Sequence, residues 1–291
     1  MATSSTPLAA TATAATSTSA SASATATSGR SATTARYPSL AGRRVFISGG
    51  SSGIGAELVR AFARQGAQVA FCGTRPDGGQ ALADELASAG LPAPWYTACD
   101  VRDIPAYQAL LARLIAETGP VQVLVNNAGR DDRHRMEDVT PDYWDERLAL
   151  NLKHYFFAIQ SVAPGMASTG GGSIINMGSV SWMRGRPELV GYTTAKAGIL
   201  GLTRTLAREL GPRGIRVNAL VPGAIVTERQ TALHRDAAAD QGFLDAQCLK
   251  IRLDAGHVAR TTLFLASDDA DGMTGQHLLV DAGIAQQSVI T

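Results

Sequence analysis

A doubly wound α/β domain, with a seven-stranded parallel sheet flanked by helices, is the fold that the 291-residue sequence predicts. Three observations carry that expectation. From Arg43 onward, short runs rich in Val and Ile alternate with longer segments of helical spacing, the pattern of parallel strands joined by crossover helices. The runs are apolar throughout, so each is expected to be buried on both faces. Gly66, Gly90, Gly119 and Gly211 punctuate the helix ends, where a residue without a Cβ best closes the last turn.

In order, strands are expected at Arg44–Ser48, Gln68–Cys72, Trp95–Ala98, Val121–Val125, Ser173–Met177, Arg216–Leu220 and His277–Val280. Helices are expected at Gly53–Gln65, Gly78–Ala89, Ile104–Thr118, Tyr143–Ala167, Tyr192–Leu210 and Asp254–Ala266. No internal repeat and no second core appear, so residues 36–291 read as one domain. Residues 222–246 have little strand character and are too long for an ordinary connection, which makes them a candidate substrate lid. Residues 1–35 hold 12 Ala, 10 Thr and 8 Ser, with Arg30 as the single charge. Such a composition cannot bury enough side chain to offset ordering entropy, and a disordered tail is expected.

Composition excludes several functions. Lys and Arg number 26 against 25 Asp and Glu, so no general field draws the chain to nucleic acid, and any phosphate must be recognised by local geometry. No apolar run approaches a membrane span and no secretory signal pattern is visible. Cys72, Cys99 and Cys248 lie far apart without a CxxC pair, which points to small buried hydrophobes in a reducing, cytoplasmic setting. His154, His234, His257 and His277 show no ligand spacing, and no metal is expected.

The first expected strand runs directly into Ser48-Gly49-Gly50-Ser51-Ser52-Gly53-Ile54-Gly55 and then a helix. Backbone N–H groups at a helix N-terminus point at an anion, and residues without a Cβ let a pyrophosphate approach that backbone. The placement predicts a Rossmann-like dinucleotide site. Dinucleotide sites that choose NAD usually carry a carboxylate after the second strand, about 20 residues on. Gly73 stands there, followed by Thr74 and Arg75; a hydroxyl and a guanidinium suit a 2′-phosphate, which favours NADP over NAD.

Tyr192 and Lys196 are four residues apart at the start of an expected helix, so they share one face. An ammonium beside a phenol stabilises phenolate and lowers a pKa that is otherwise near 10. Lysine is scarce, with Lys153, Lys196 and Lys250 against 23 arginines, yet one falls at this spacing. Ser179 lies 13 residues before Tyr192. Asn126-Asn127-Ala128-Gly129 closes the fourth strand, and Asn151 sits inside a long helix, where an amide needs another reason to be present. All of these converge beyond the strand carboxyl ends, where open α/β sheets bind ligands.

Gly49-x-x-x-Gly53-x-Gly55, Asp100, Asn126-Asn127-Ala128-Gly129, Asn151, Ser179, Tyr192-x-x-x-Lys196 and Pro222-Gly223 resemble the motif set of the short-chain dehydrogenase/reductase family, in its order and spacing. The resemblance implies Asn151, Ser179, Tyr192 and Lys196 as a catalytic tetrad. It implies a dinucleotide held by Gly49, Ser51, Ser52, Gly53, Ile54, Gly55, Thr74, Arg75, Asp100, Val101, Asn127, Ala128, Gly129, Tyr192, Lys196, Pro222, Gly223, Ile225 and Thr227. Asp100 would hold the adenine and Pro222 to Thr227 the nicotinamide carboxamide. Ser52 stands where many NADP-preferring relatives carry a basic residue, so NADP or NAD both stay open. Tyr37-Pro38-Ser39-Leu40, the stretch Asn126 to His134, Tyr143-Trp144-Asp145-Glu146-Arg147 and Gln247-Cys248-Leu249-Lys250 narrow the likeness to bacterial aldose (D-xylose) 1-dehydrogenases. That group implies oxidation of a pentose such as D-xylose or L-arabinose, or of a related hexose or 6-deoxyhexose, to the lactone.

In that chemistry phenolate at Tyr192 takes the hydroxyl proton of a cyclic aldose while hydride leaves the same carbon. Ser179 would bond to the oxygen, Lys196 would lower the Tyr192 pKa and hold the ribose, and Asn151 would position a water. Asp131, Asp132 and His134 offer partners for sugar hydroxyls, and Trp182 offers a flat face for a pyranose. Phe156, Phe157, Ile199 and Leu202 look outward from the two long helices, and related enzymes use these helices to assemble, so a homotetramer is expected. Two other readings are an NADPH-dependent carbonyl or 3-oxoacyl-thioester reductase with the same tetrad, and a catalytically silent dinucleotide-binding protein. The basic cluster visible near the site, Arg133-His134-Arg135, is too mixed to favour the thioester.

Overall fold

In chain order the strands of the computed structural model are β1 (Arg44–Ser48), β2 (Gln68–Gly73), β3 (Trp95–Ala98), β4 (Val123–Asn126), β5 (Gly172–Met177), β6 (Ile215–Pro222), β7 (Ile225–Val226), β8 (Leu253–Asp254) and β9 (His277–Val280). Seven form one parallel sheet in the order β3-β2-β1-β4-β5-β6-β9, while β7 pairs with β8. The strand order reverses direction between β1 and β4, and a crevice opens there at the carboxyl edge. The structure describes residues 1–2, 35–229, 231 and 237–286. The expected tail thus lies almost wholly outside the described residues, as does part of the expected lid at 222–246.

Helices cover both faces of the sheet. They are α1 (Gly53–Arg64), α2 (Pro76–Ser88), α3 (Ile104–Thr118), α4 (Pro141–Leu148), α5 (His154–Ser168), α6 (Val190–Leu210), α7 (Ala237–Ala246) and α8 (Ala255–Ala266). On one face Leu58, Val59 and Phe62 of α1 pack with Leu263 and Leu265 of α8. On the other, Leu111, Ile159, Val162 and Leu206 join α3, α5 and α6. Each such side chain contributes roughly 1.5–3 kcal/mol over its exposed state, so the helices are held by their apolar faces.

Four expectations need correction. Tyr143–Ala167 is not one helix: Ala149–Lys153 form a π-helical turn between α4 and α5. The cause lies in Asn151, whose Nδ2 donates to the Arg147 carbonyl at 3.0 Å. An ordinary α-turn gives that carbonyl to a backbone N–H four residues on. β3 and β9 are not buried on both faces; they are the outermost strands, with partly or fully exposed side chains. Ile199 does not look outward but packs on Tyr155 and Ala219, whereas Phe156 is exposed. Of the cysteines, Cys72 is buried, Cys99 half-buried and Cys248 exposed. Among the described residues no helix is long and apolar enough to cross a membrane.

Candidate active site

The crevice is a cleft of about 1300 Å³ that runs from Thr74 and Arg75 past the glycine loop to Ser179, Tyr192 and Phe243. Every residue expected to hold a dinucleotide lines it, as do Ser179 and Asp131. Asp132, His134 and Trp182 do not.

The glycine loop is a backbone cradle. Gly53 opens α1 at φ +55°, and a Cβ on Gly55 would come within 1.9 Å of the Gly49 carbonyl oxygen. Ser52 precedes the helix in extended conformation and makes no side-chain cap, so the first N–H groups of α1 are left for a ligand. The loop is braced from β4. Asn127 Nδ2 donates to the carbonyls of Ser48 and Gly49 at 3.0 and 3.1 Å. Ser48 Oγ in turn accepts the N–H groups of Asn127 and Ala128. Asn127 is therefore a strut of the cradle, and Ser48 is a brace that the sequence reading passed over.

Beyond β2, a Cβ on Gly73 would lie 2.4 Å from Ser51 Oγ, so a carboxylate side chain at 73 would have to displace that hydroxyl. Thr74 and Arg75 are exposed on the cleft wall. Asp100 is gripped by Arg102, whose Nε and Nη2 donate to it at 2.9 and 2.5 Å. That pairing holds the Asp100 carboxyl below the usual range. These groups fit a dinucleotide: a Cβ-free cradle, uncapped amides and an open cation at the far end.

At the cleft floor, Ser179 follows β5, and its hydroxyl donates to Ser181 Oγ at 3.0 Å and accepts the Ser181 N–H at 3.2 Å. It shares the cleft with Tyr192, which stands in the first turn of α6. Lys196, one turn on, is buried, with its Nζ 5.6 Å from the centre of the Tyr192 ring. Nζ donates to the Met177 carbonyl at 2.8 Å and to the Tyr155 hydroxyl at 3.1 Å. The Tyr155 hydroxyl itself donates to the Met177 carbonyl at 3.1 Å. Asn151 lies fully buried behind Gly129, and its Oδ1 accepts the Arg130 N–H at 2.9 Å. A Cβ on Gly129 would meet Asn151 Oδ1 at 2.9 Å and Lys196 Nζ at 3.3 Å, so this glycine is what lets tetrad and loop close together.

The electrostatics here differ from the simple Tyr–Lys expectation. Burial pushes the Tyr192 hydroxyl up to about 12, with the Ser179 hydrogen bond working against it. Burial also lowers Lys196 to about 7, while Asp131 opposes that shift. Lys196 acts first on Tyr155 and Met177, and in this structure desolvation outweighs any acidifying effect of its ammonium on Tyr192.

Of the three expected sugar contacts outside the cleft, Asp132 and His134 have other partners. The Asp132 carboxylate is taken by Arg147, Arg229 and Arg130 at 2.5, 2.7 and 3.1 Å. His134 stacks edge-on against Tyr143, whose hydroxyl lies 3.0 Å from Nδ1. Trp182 turns its indole N–H into a buried site without a hydrogen-bond partner among the described residues. In their place the cleft receives Arg130, Arg133, Arg184, Arg186 and Arg229. Among the described residues no three His, Cys, Asp or Glu side chains gather to hold a metal ion.

A family model described as enoyl-(acyl carrier protein) reductase matches residues 49–285. A D-xylose 1-dehydrogenase of Caulobacter vibrioides is 52% identical over 251 residues, covering 86% of this chain and 99% of the relative. The chain belongs to the short-chain dehydrogenase/reductase family. A second member, the Rhizobium meliloti protein named "Probable galactose dehydrogenase GalD", is 47% identical over 251 residues, with 86% and 98% covered. Among solved members of this family, a Burkholderia cenocepacia gluconate 5-dehydrogenase in complex with NADP and tartrate superposes with TM-score 0.80 at 30% identity, covering 86% of this chain and 99% of that one.

Proposed function

We propose that the chain oxidises an aldose at its anomeric carbon to the lactone, using NADP or NAD with NADP preferred. The observation that carries this reading is the 52% identity to a D-xylose 1-dehydrogenase in a chain whose Ser179, Tyr192 and Lys196 meet at the floor of one cleft. When bound, the nicotinamide accepts the hydride. Tyr192, in its phenolate form, takes the proton of the anomeric hydroxyl, and Ser179, beside it on the same cleft, donates to the same oxygen. Lys196, fixed from behind by Met177 and Tyr155, supplies positive charge near the Tyr192 ring as the proton moves. Asn151 holds Arg130 and Arg147 backbone with one face of its amide, which leaves its second amide proton and lone pair for a water.

Arg75 and Thr74 favour NADP, because position 73 has no carboxylate to repel a 2′-phosphate. A solved relative holds NADP, in accord with that preference. The surface around Phe156 contributes to a homotetramer, and the protein works in the cytoplasm. The experiment is a panel of D-xylose, L-arabinose, D-galactose, L-fucose and L-rhamnose, each with both dinucleotides, read as reduced-nicotinamide absorbance. A rise with at least one aldose, steeper with NADP, is expected. No rise with any sugar, alongside NADPH oxidation by a 3-oxoacyl thioester, would overturn the reading.

A further inference from the structure

The substrate end of the cleft holds more cation than its carboxylates balance. Arg229 is paired with Asp131 at 2.8 Å, Arg130 with Asp132 at 3.1 Å, and Arg133 with Glu188 at 3.2 Å. Arg184 and Arg186 line the same cleft half-buried, and neither pairs with a carboxylate among the described residues. Both are carried by the segment that begins at Ser179. Its turns are closed by Arg184 N–H to Val180 O at 3.1 Å and Arg186 N–H to Ser181 O at 3.1 Å. The Arg186 guanidinium lies over the Phe243 ring, 5.7 Å from its centre. Burial and the like charges of Arg133 and Arg184 hold Arg186 below its ordinary value, with Asp131 as the opposing charge. A desolvated cation among cations is unfavourable alone and becomes favourable when an anion docks.

This anion is not the dinucleotide's 2′-phosphate. Arg75 follows β2, on the far side of β1, whereas Arg184 and Arg186 follow β5, with β1 and β4 between. Ser179 and Tyr192 bracket the two arginines in sequence and share their cleft, so the charge they meet belongs to the molecule being oxidised.

We infer that the preferred substrate is an anionic aldose, its oxyanion held by Arg184 and Arg186 while its anomeric carbon faces Tyr192. A uronic acid has this shape, with a carboxylate remote from the carbon oxidised. The inference rests on the proposed C1 oxidation. In the reaction the C–H and O–H bonds at C1 break and a C=O bond forms. The hydride reduces the nicotinamide, the proton passes to Tyr192 and on to solvent, and the carboxylate is unchanged.

D-Glucuronate and D-galacturonate are D-xylose and L-arabinose with a carboxylate added at C5, which gives two matched pairs. For each pair kcat/KM is expected to favour the acid by about 10-fold or more, as for a charge-assisted hydrogen bond. In Arg186→Leu, and further in Arg184→Leu with Arg186→Leu, the acid-to-pentose ratio falls toward one, chiefly through KM. NADPH affinity, measured by fluorescence, shows that the variants are folded. D-Glucose 6-phosphate outrunning D-glucuronate would keep the oxyanion site and assign it to phosphate rather than carboxylate. Equal kcat/KM for acid and pentose, unmoved by the substitutions, would overturn the anion site and leave C1 oxidation standing. No turnover of any sugar would overturn both.

Discussion

At the dinucleotide end of the cleft, the working surface is backbone: Gly53 and Gly55 shape it, and buried Ser48 with half-buried Asn127 fix it from behind. At the substrate end the surface is side chain, with five arginines on the segments that follow β4, β5 and β7. Backbone that must approach a phosphate tolerates few residues at each position, so it leaves a spaced motif. Charges that meet only in the folded chain leave none. The same difference sets what each end can vary: the cradle is constrained by its backbone, and on the anion-site proposal the arginines select the molecule oxidised.

The largest effect expected lies at the junction of the two ends. Tyr192→Phe removes the proposed proton acceptor and is expected to lower kcat by about 100- to 10,000-fold, the range for loss of a general base. Dinucleotide affinity, followed by fluorescence titration, should change little, because the glycine cradle and Arg75 lie apart from that hydroxyl. Lost binding would mean that the two ends are not separable.

At the dinucleotide end, Arg75→Ala is expected to weaken NADP binding by about 1–3 kcal/mol and to leave NAD nearly untouched. Equal losses for both would place Arg75 outside the 2′-phosphate site. A smaller effect, about 10-fold on kcat, is expected for Tyr155→Phe, which removes an acceptor of the Lys196 ammonium. Without that acceptor Lys196 falls further below about 7, so the alkaline decline of kcat should move to lower pH. A purely structural role for Tyr155 would leave the pH profile in place.

The smallest effect concerns stability. Burial holds His154 at about 3, against an ordinary value of 6.5. Between those values the unfolded chain binds a proton that the folded chain refuses, so stability falls as pH drops from 6.5 toward 3. His154→Phe should flatten this acid slope of the melting temperature. An unchanged slope would show that other groups govern it.

Much of the fold could be read in the sequence because most of its strands are continuous Val- and Ile-rich runs and several of its helices close on glycine. What escaped reading was tertiary. Nothing local marks Trp95–Ala98 and His277–Val280 as edges, and the π-turn at Asn151 shows itself in sequence merely as an amide where a helix has little use for one. Tyr155, four residues after Asn151, gives no signal of its tie to Lys196, since that contact crosses from α5 to α6. Asp132 and His134 read as sugar ligands on chemistry alone, but Arg147 and Tyr143 had to be brought beside them by folding. Arg184 and Arg186 stood in plain view between Ser179 and Tyr192 and were passed over because each, read singly, resembles a solvated surface charge.

The most direct test of the proposed chemistry is the fate of the hydrogen on C1. With an aldose carrying deuterium there, the label should be recovered in the reduced nicotinamide, in proportion to lactone formed. Reduced nicotinamide free of label, with the deuterium retained in the sugar product, would show that oxidation occurs at another carbon and would contradict the assignment.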